Sequence, residues 1–252
     1  MTGPDEVDGL AWRIELPRPR RERLSDFRVA VMLEAPHAEV DRTVQDAIQH
    51  LADALAKAGA TVSDRARPAV DTAQCARLFS QLLLAAMSGR QSNEIFAANV
   101  EKARTLSPAD KSAAAENLRM TTLAHRDWLI ANEARHKMRL AWAEFFGEYD
   151  LLLCPPLGTP ALPHDHQGEP FARAITVNGK RVPVTDQLFW AGYAGLCFLP
   201  ATVAPAGLTP QGLPVGVQII GPQYGDLTCI HLAQLLEHDY RGFVPPPGYA
   251  ET

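Results

Sequence analysis

Residues 200–222 read PATVAPAGLTPQGLPVGVQIIGP, and this stretch indicates more about the fold than any other part of the chain. Two apolar runs within it, at 201–204 and 215–220, have the β-branched composition of buried strands. The proline- and glycine-rich residues 205–214 predict a connection between these strands, and Gly221 with Pro222 predicts the end of the second strand. The stretch therefore predicts two adjacent strands whose side chains fill a core.

The apolar pattern upstream predicts further strands of the same sheet. Residues 27–33 (FRVAVML) have the composition of a strand that is buried on both faces. An amphipathic helix over 40–58, with Gly59 at its end, leads to a short returning strand at 60–63. Such a strand–helix–strand unit predicts two parallel strands. Residues 150–154 (DLLLC) predict another buried strand.

Helical patterns and one long loop complete the predicted organisation. Residues 70–148 predict helices at about 72–87 and 92–104 and a single long helix from Pro108 to about Gly147. A last helix is predicted at about 226–238. The resulting fold class is α/β, with a mixed, partly parallel central sheet flanked by helices.

The loop at 157–187 is rich in proline, glycine and histidine, and a loop of this length within a compact domain usually has a function. Within it, Asn178 and Gly179 lie between alternating residues and predict a short hairpin at 176–182.

Composition and charge exclude several classes of protein. Of the 252 residues, 46% are apolar and 21% are charged, which excludes global disorder and a collagen-like fibre. The net charge of -5 provides no broad attraction to nucleic acid or to an anionic membrane. No apolar run approaches the length needed to span a bilayer. We therefore expect neither a nucleic-acid partner nor a membrane partner.

Cysteine usage and the first residues of the chain bear on its location. The cysteines lie far apart without a CxxC pair, which argues against a disulfide framework and a structural zinc site. The chain starts without the basic and then apolar stretch of a signal peptide. We therefore expect reduced thiols and a cytoplasmic location. Positive and negative charges nearly cancel in residues 1–26, which predicts a solvated connector preceding a domain at 27–252. The cysteines are Cys75, Cys154, Cys197 and Cys229.

Known catalytic and cofactor motifs are absent from the sequence. There is no GxSxG elbow, P-loop, GxGxxG or HExxH, and we expect no cofactor. All serines lie at or before Ser112, and none has a glycine-rich setting that would place backbone N–H donors around an oxyanion. His164, Asp165 and His166 form the most suggestive metal-ligating cluster. Ligands at successive positions rarely converge on one ion, so a solvated loop is favoured and no metal site is predicted.

The strand pair at 200–222 resembles the C-terminal signature of the amidase-signature family, whose members are serine hydrolases of amides. The similarity extends to residues 150–156 (DLLLCPP) and to residues 27–62. The resemblance implies that residues 27–252 form the C-terminal part of an amidase-like α/β domain. It also implies that this part lies next to a substrate pocket, with Thr159, Phe189 and Trp190 as candidate wall residues.

The same resemblance implies that the catalytic residues are not in this chain. The family hydrolyses carbon–nitrogen amide bonds with a serine, a second serine in a cis peptide and a lysine, all within a Gly/Ser-rich core. That core precedes the part that is similar here. This sequence has no Gly-Gly-Ser-Ser segment and no lysine at the matching position. We therefore assign no catalytic residue.

Two hypotheses follow for the function. In the first, the chain is the C-terminal portion of an amidase that acts on a small-molecule amide, whether from a split gene, a truncated gene or an isolated domain. It is then inactive alone and either pairs with a separate chain carrying the catalytic core or self-associates. In the second, the half-fold is a non-catalytic module that binds a ligand or a partner. A Gly/Ser-rich segment encoded just upstream would favour the first hypothesis. A third hypothesis is an independent hydrolase or a metal-dependent enzyme that uses His164, Asp165 and His166.

Overall fold

The central sheet contains the five apolar runs that the sequence predicts as strands. The computed structural model describes residues 3–168, 172–246 and 248–249. Its strands, including those of a separate hairpin, are β1 (Arg28–Val31), β2 (Thr61–Ser63), β3 (Leu151–Cys154), β4 (Ala174–Val177), β5 (Lys180–Pro183), β6 (Ala201–Leu208) and β7 (Pro214–Ile220).

The sheet is mixed, in the order β2-β1-β3-β7-β6. β1 pairs in parallel with β2 and β3, whereas β7 is antiparallel to both β3 and β6. The predicted α/β class, with a partly parallel central sheet flanked by helices, is confirmed. The helices are α1 (Arg42–Lys57), α2 (Thr72–Ser88), α3 (Asn93–Arg104), α4 (Ala113–Thr121), α5 (His125–Glu148), α6 (Leu188–Gly195) and α7 (Asp226–Asp239).

Most local predictions agree with these bounds. α1, α2, α3 and α7 lie within a few residues of their predicted positions, and the β4–β5 hairpin turns at Asn178 and Gly179, which both have positive φ. α6 was not predicted, because its sequence LFWAGYAG is apolar on all sides and therefore has no helical period. In the part of the chain that the structure describes, no helix has the length and apolar character needed to cross a membrane.

The predicted single helix from Pro108 to Gly147 is wrong. The first helix begins only at Ala113, and the chain leaves helical geometry at Thr122, so that α4 and α5 are separate. The hydroxyls of Thr121 and Thr122 donate to backbone carbonyls one turn earlier, at 2.8 Å each. Such local hydrogen bonds compete with a continuing helix, and sequence periodicity does not detect this effect.

β6 and β7 form the predicted pair, but the connection between them is shorter than expected. β6 continues through Pro205 to Leu208, where the sequence predicts a loop. A proline is compatible with this position because β6 is the edge strand of the sheet and needs no N–H donor on its outer side. The register shifts between Pro205 and Gly207, so a β-bulge accompanies the proline.

One face of β6 is covered by helices and the other is not. Ala204 is buried, and α1 and α7 are the helices that contact this strand. Val203, on the opposite face, is 57% exposed. Val203 pairs with Gln218 of β7, whose side chain contacts α6. Directly paired residues share a face, so α6 covers β7 on this side but not β6. We call the exposed side of Ala201, Val203 and Pro205 the open face of β6.

α6 packs closely against α2 and α5. The ring of Trp142 in α5 is fully buried and contacts the ring of Tyr193 in α6 at a centroid distance of 5.1 Å. Gly192 permits the approach to α2, because a Cβ atom there would lie 2.5 Å from Cδ1 of Phe79. A Cβ atom at Gly195 on the same helix would meet nothing within 4 Å.

Asp150 joins the N-terminal segment to the start of β3. Its carboxylate accepts hydrogen bonds from the backbone N–H of Arg28 at 2.8 Å and from Nη2 of Arg28 at 2.9 Å. Nε and Nη2 of Arg21 also donate to it, at 3.2 Å each. Burial acts to raise the pKa of Asp150, but the hydrogen bonds from Arg28 and Arg21 outweigh it, and the pKa lies below its ordinary value of 3.8.

Replacement of Gly192 by alanine tests the packing of α6 against α2. We expect Gly192→Ala to lower the free energy of unfolding by about 1–3 kcal/mol, because the added methyl group overlaps the ring of Phe79. Gly195→Ala is the matched control on the same helix and should leave stability unchanged or raise it by up to about 1 kcal/mol. Urea unfolding measures both variants, and equal effects at the two positions would contradict the packing argument.

Replacement of Asp150 by asparagine tests the link to Arg21 and Arg28. Charge-assisted hydrogen bonds are lost, so we expect the unfolding free energy to fall by about 1–3 kcal/mol at pH 7. A lowered folded pKa stabilises the protein above the unfolded pKa. The difference between wild type and variant should therefore disappear as the pH falls through the folded pKa, below 3.8. Glu101→Gln, in an exposed pair with Arg104, is the control and should cost less than about 1 kcal/mol.

Candidate functional site

Three segments meet where the parallel strands β1 and β3 end, the edge at which open α/β sheets bind ligands. The N–H of Asp41 donates to the carbonyl of Gly158 at 2.7 Å, and the N–H of Gly158 donates to Oε1 of Gln187 at 2.5 Å. Nε1 of Trp190 donates to the carbonyl of Ala38 at 3.1 Å. These bonds connect the segment after β1, the segment after β3 and the start of α6.

Gly158 is required at this junction for steric reasons. A Cβ atom there would lie 2.7 Å from the carbonyl oxygen of Glu39 and 2.8 Å from Oε1 of Gln187. Both distances are shorter than any normal contact of a Cβ atom, so a side chain would push the segments apart. The glycine therefore sets how closely the three segments approach.

The candidate wall residues all lie at this junction. Thr159 is 8% exposed, Phe189 is 4% exposed and Trp190 is fully buried. The rings of Phe189 and Trp190 contact each other edge-on, with centroids 4.9 Å apart. Phe189 also contacts the His37 ring edge-on at 4.7 Å. The structure therefore packs Phe189 against Trp190 and buries Thr159 next to Gly158 at the same junction.

Gln218 attaches this junction to the sheet. It lies in the middle of β7 and is only 6% exposed, although its neighbours are apolar. Its Nε2 donates to the carbonyl of Trp190 at 3.0 Å and to Sγ of Cys154 at 3.2 Å. These two hydrogen bonds hold α6 at a fixed distance from the sheet, because breaking either of them leaves a buried polar group without a partner.

The electrostatics of the junction favour neutral groups. Burial lowers the pKa of His37, and the charges of Asp186 and Asp71 oppose this shift. Burial raises the pKa of Asp186, and His37 opposes that shift. Within the described residues, Nε2 of His37 and Nε2 of Gln187 are buried without a hydrogen-bond partner. Each such atom costs about 1–3 kcal/mol, which a polar atom of a ligand would offset.

Sequence reasoning missed four polar residues of this junction. Gln218 had a usable signal, since it is a single polar residue in an otherwise apolar run, VGVQII. His37 lies four residues after the end of the predicted first strand, at the end where ligand contacts are expected. Asp186 and Gln187 had no signal, because they fall in a segment whose sequence predicts only a long loop.

The cluster of His164, Asp165 and His166 lies elsewhere, on an exposed loop. The two imidazole rings are 6.0 Å apart, and the Asp165 carboxylate accepts from the backbone N–H of Gln167 at 2.9 Å and lies 3.9 Å from Nε of Arg173. Among residues 3–168, 172–246 and 248–249, no group of three or more His, Cys, Asp and Glu side chains is placed to hold a metal ion.

The cysteine thiols are buried, and two serine hydroxyls serve as helix caps. All four cysteines are free and buried, and burial raises the pKa of Cys75, Cys154 and Cys229 to about 12 and that of Cys197 to about 11. Such thiols are not thiolates at neutral pH. Ser92 and Ser112 accept hydrogen bonds from backbone N–H groups at helix starts. No hydrogen bond between a serine and a lysine or histidine occurs in the described part of the chain.

Comparison with known proteins identifies the family. The Amidase family model matches residues 6–230. Indoleacetamide hydrolase from Bradyrhizobium japonicum is 25% identical over 231 residues, which cover 88% of this chain and 43% of that protein. A glutamyl-tRNA(Gln) amidotransferase subunit from Thermotoga maritima has a TM-score of 0.64 at 20% identity, covering 96% of this chain and 50% of that chain. A bacterial aryl acylamidase of the amidase-signature enzymes has a TM-score of 0.65 at 18% identity, covering 95% and 49%.

These matches agree with the resemblance carried by residues 200–222. The solved structures share the fold over nearly all of this chain. The chain spans about half the length of the relatives it matches. Because the family model matches most of the chain, from the N-terminal segment into α7, the protein belongs to the amidase family.

Proposed function

We propose that this chain is the C-terminal portion of an amidase that hydrolyses a carbon–nitrogen amide bond, and that a companion segment supplies the catalytic residues. The companion segment is the remainder of the amidase fold, either in the same polypeptide or in another chain. One observation carries the proposal: the Amidase model matches residues 6–230, yet the chain spans only about half of its relatives. The described residues also provide no serine that is hydrogen-bonded to a lysine or a histidine.

The proposed reaction proceeds by acyl transfer. A serine oxygen of the companion segment attacks the amide carbonyl carbon, the amine leaves with a proton, and an acyl-enzyme remains. Water then attacks the same carbon, releases the carboxylic acid and returns the proton to the serine. In this reaction the residues of this chain bind and orient the substrate, and none of them is assigned a bond-making role.

Thr159, Phe189 and Trp190 are the proposed wall of the acyl or leaving-group pocket. Phe189 and Trp190 pack edge-on against each other at the carboxyl end of the sheet, where both side chains are buried. The unpartnered Nε2 atoms of His37 and Gln187 lie in the same junction and would receive polar atoms of a small-molecule amide. The relatives include an indoleacetamide hydrolase, so a small aromatic amide is a reasonable first substrate to test.

The remaining expectations belong to the same proposal. Residues 1–26 serve as the connector to the rest of the fold, and Arg21 attaches this segment to Asp150. The buried, unpaired cysteines support a cytoplasmic location. The net charge of -5 supports a function without a nucleic-acid partner. No cofactor is proposed, because serine-based acyl transfer needs none.

The activity of the chain with and without a companion tests the proposal. We expect the purified chain alone to leave indoleacetamide intact. Co-expression with the part of the Bradyrhizobium japonicum indoleacetamide hydrolase that this chain does not match should yield a complex that releases ammonia. The companion part expressed alone is the control for background activity.

Two outcomes of this experiment would contradict the proposal. Amide hydrolysis by the chain alone that disappears when one of its own serines is replaced by alanine would place the catalytic residue in this chain. A companion that never co-purifies with the chain would instead favour the non-catalytic binding module. The serines to replace are Ser25, Ser63, Ser80, Ser88, Ser92, Ser107 and Ser112.

Self-association without a companion is a further expectation. Val203 and Leu208 of β6 are 57% and 55% exposed, and an exposed edge strand with apolar side chains favours association. We expect light scattering to detect dimers of the isolated chain at high concentration. Val203→Lys should shift the population to monomer, because it places a charge on the open face. Val7→Lys, at an exposed position of the N-terminal segment, is the control, and a wild-type chain that stays monomeric would contradict the expectation.

A further inference from the structure

Two arginines of α5 pack on Phe198, which precedes β6 in the chain. Arg135 and Arg139 are four residues apart, which places them on the same face of the helix. Their Cζ atoms lie 4.3 Å and 5.3 Å from the ring centroid of Phe198. Like charges at this spacing destabilise a helix, so the pair needs a compensating interaction.

Carboxylates of the described residues do not provide that interaction. Among the described residues, no carboxylate oxygen lies within 4.0 Å of either arginine. Arg28 and Arg119, by contrast, each have such a carboxylate partner. Nε of Arg139 is buried without a partner, and its Nη2 donates to the neutral amide of Gln223 at 2.7 Å. Among the described residues, the guanidinium of Arg135 donates a hydrogen bond only to the neutral amide of Asn132. Several donors of the pair are therefore not matched by a negative charge.

Partial burial of Arg135 raises the free-energy cost of leaving its positive charge without an anion. The pKa of Arg135 is lowered by burial and, to a smaller extent, by the positive charge of Arg139. Both effects indicate that the charged form of Arg135 is less stable here than in water. An anion bound between the two guanidinium groups would reverse this effect and would satisfy Nε of Arg139.

Phe198 is the aromatic residue on which both arginines pack. Its φ of 57° lies in the left-handed region, which is unusual for a bulky residue and is often found at binding sites. Its ring is 52% exposed although both arginines pack on it. Phe198 lies between the end of α6 and the first residue of β6, and α6 packs on the same side of the sheet as the open face.

We propose that Arg135 and Arg139 bind a carboxylate side chain of the companion segment, which packs on the open face of β6. The identity of the companion rests on the proposed function, whereas the carboxylate site rests on the arginine pair alone. A carboxylate accepts two parallel hydrogen bonds from a guanidinium group, and a guanidinium loses less hydration on burial than an ammonium. An acidic residue next to a strand-forming segment is thus the chemistry that fits this surface.

The first experiment tests the carboxylate site on the chain alone. Glutarate is compared with sodium chloride at equal ionic strength, and thermal unfolding is the measurement. We expect glutarate to raise the Tm of the wild type by about 2–4 °C. The double variant Arg135→Gln with Arg139→Gln should lose this rise, and Arg126→Gln, an exposed arginine of the same helix, should retain it. An equal rise in wild type and double variant, or no rise in either, overturns the site.

The second experiment tests the companion as the source of the carboxylate. The tagged chain is co-expressed with the unmatched part of the Bradyrhizobium japonicum indoleacetamide hydrolase. We expect the double variant to retain about tenfold less companion than wild type or Arg126→Gln. Equal retention by all three overturns the companion as the source. If none of the three proteins retains the companion, both the proposed function and the companion as the source of the carboxylate are refuted. The glutarate experiment still decides whether the arginine pair binds carboxylates.

Discussion

The structure depends on the burial of β3 in the middle of the sheet. Leu151, Leu152, Leu153 and Cys154 are all fully buried, and the strand pairs with β1 on one side and β7 on the other. A strand that is buried on both faces requires helices above and below it. The arrangement of α1 and α7 on one face and of α6 with its neighbours on the other follows from this requirement.

The same requirement shows where the sheet is left uncovered. The helix layer on the α6 side ends over β7, where Gln218 donates to the carbonyl of Trp190. Beyond that line Val203 is exposed, and the arginine pair at Phe198 lacks an acid within the described residues. The open face lies on the same side of the sheet as α6, and α5, which carries the arginine pair, packs against α6. A single companion segment that packs on β6 would cover both.

The candidate pocket wall and the open face of β6 have different physical origins. The wall is rigid, because Gly158, Gln187 and Trp190 connect three segments through short hydrogen bonds. The open face is a consequence of sheet topology, since β6 is an edge strand with a proline and a bulge. Pro205 removes a backbone donor from this edge, which limits strand addition there and favours contact through side chains.

The sequence by itself determined the strands, most helices and the family. Buried strands such as 151–154 are apolar throughout, and the signature at 200–222 combines glycine and proline spacing with two apolar runs, so both are visible without contacts. Only the tertiary structure placed Gln218 under Trp190, His37 against Phe189 and Arg139 over Phe198. Each of these contacts joins residues that are distant in the chain, and a local pattern carries no information about which distant residues meet. The break at Thr122 was missed because hydroxyl bonds to the backbone leave no mark on the apolar period. Helix α6 was missed because it is apolar on all sides and has no period.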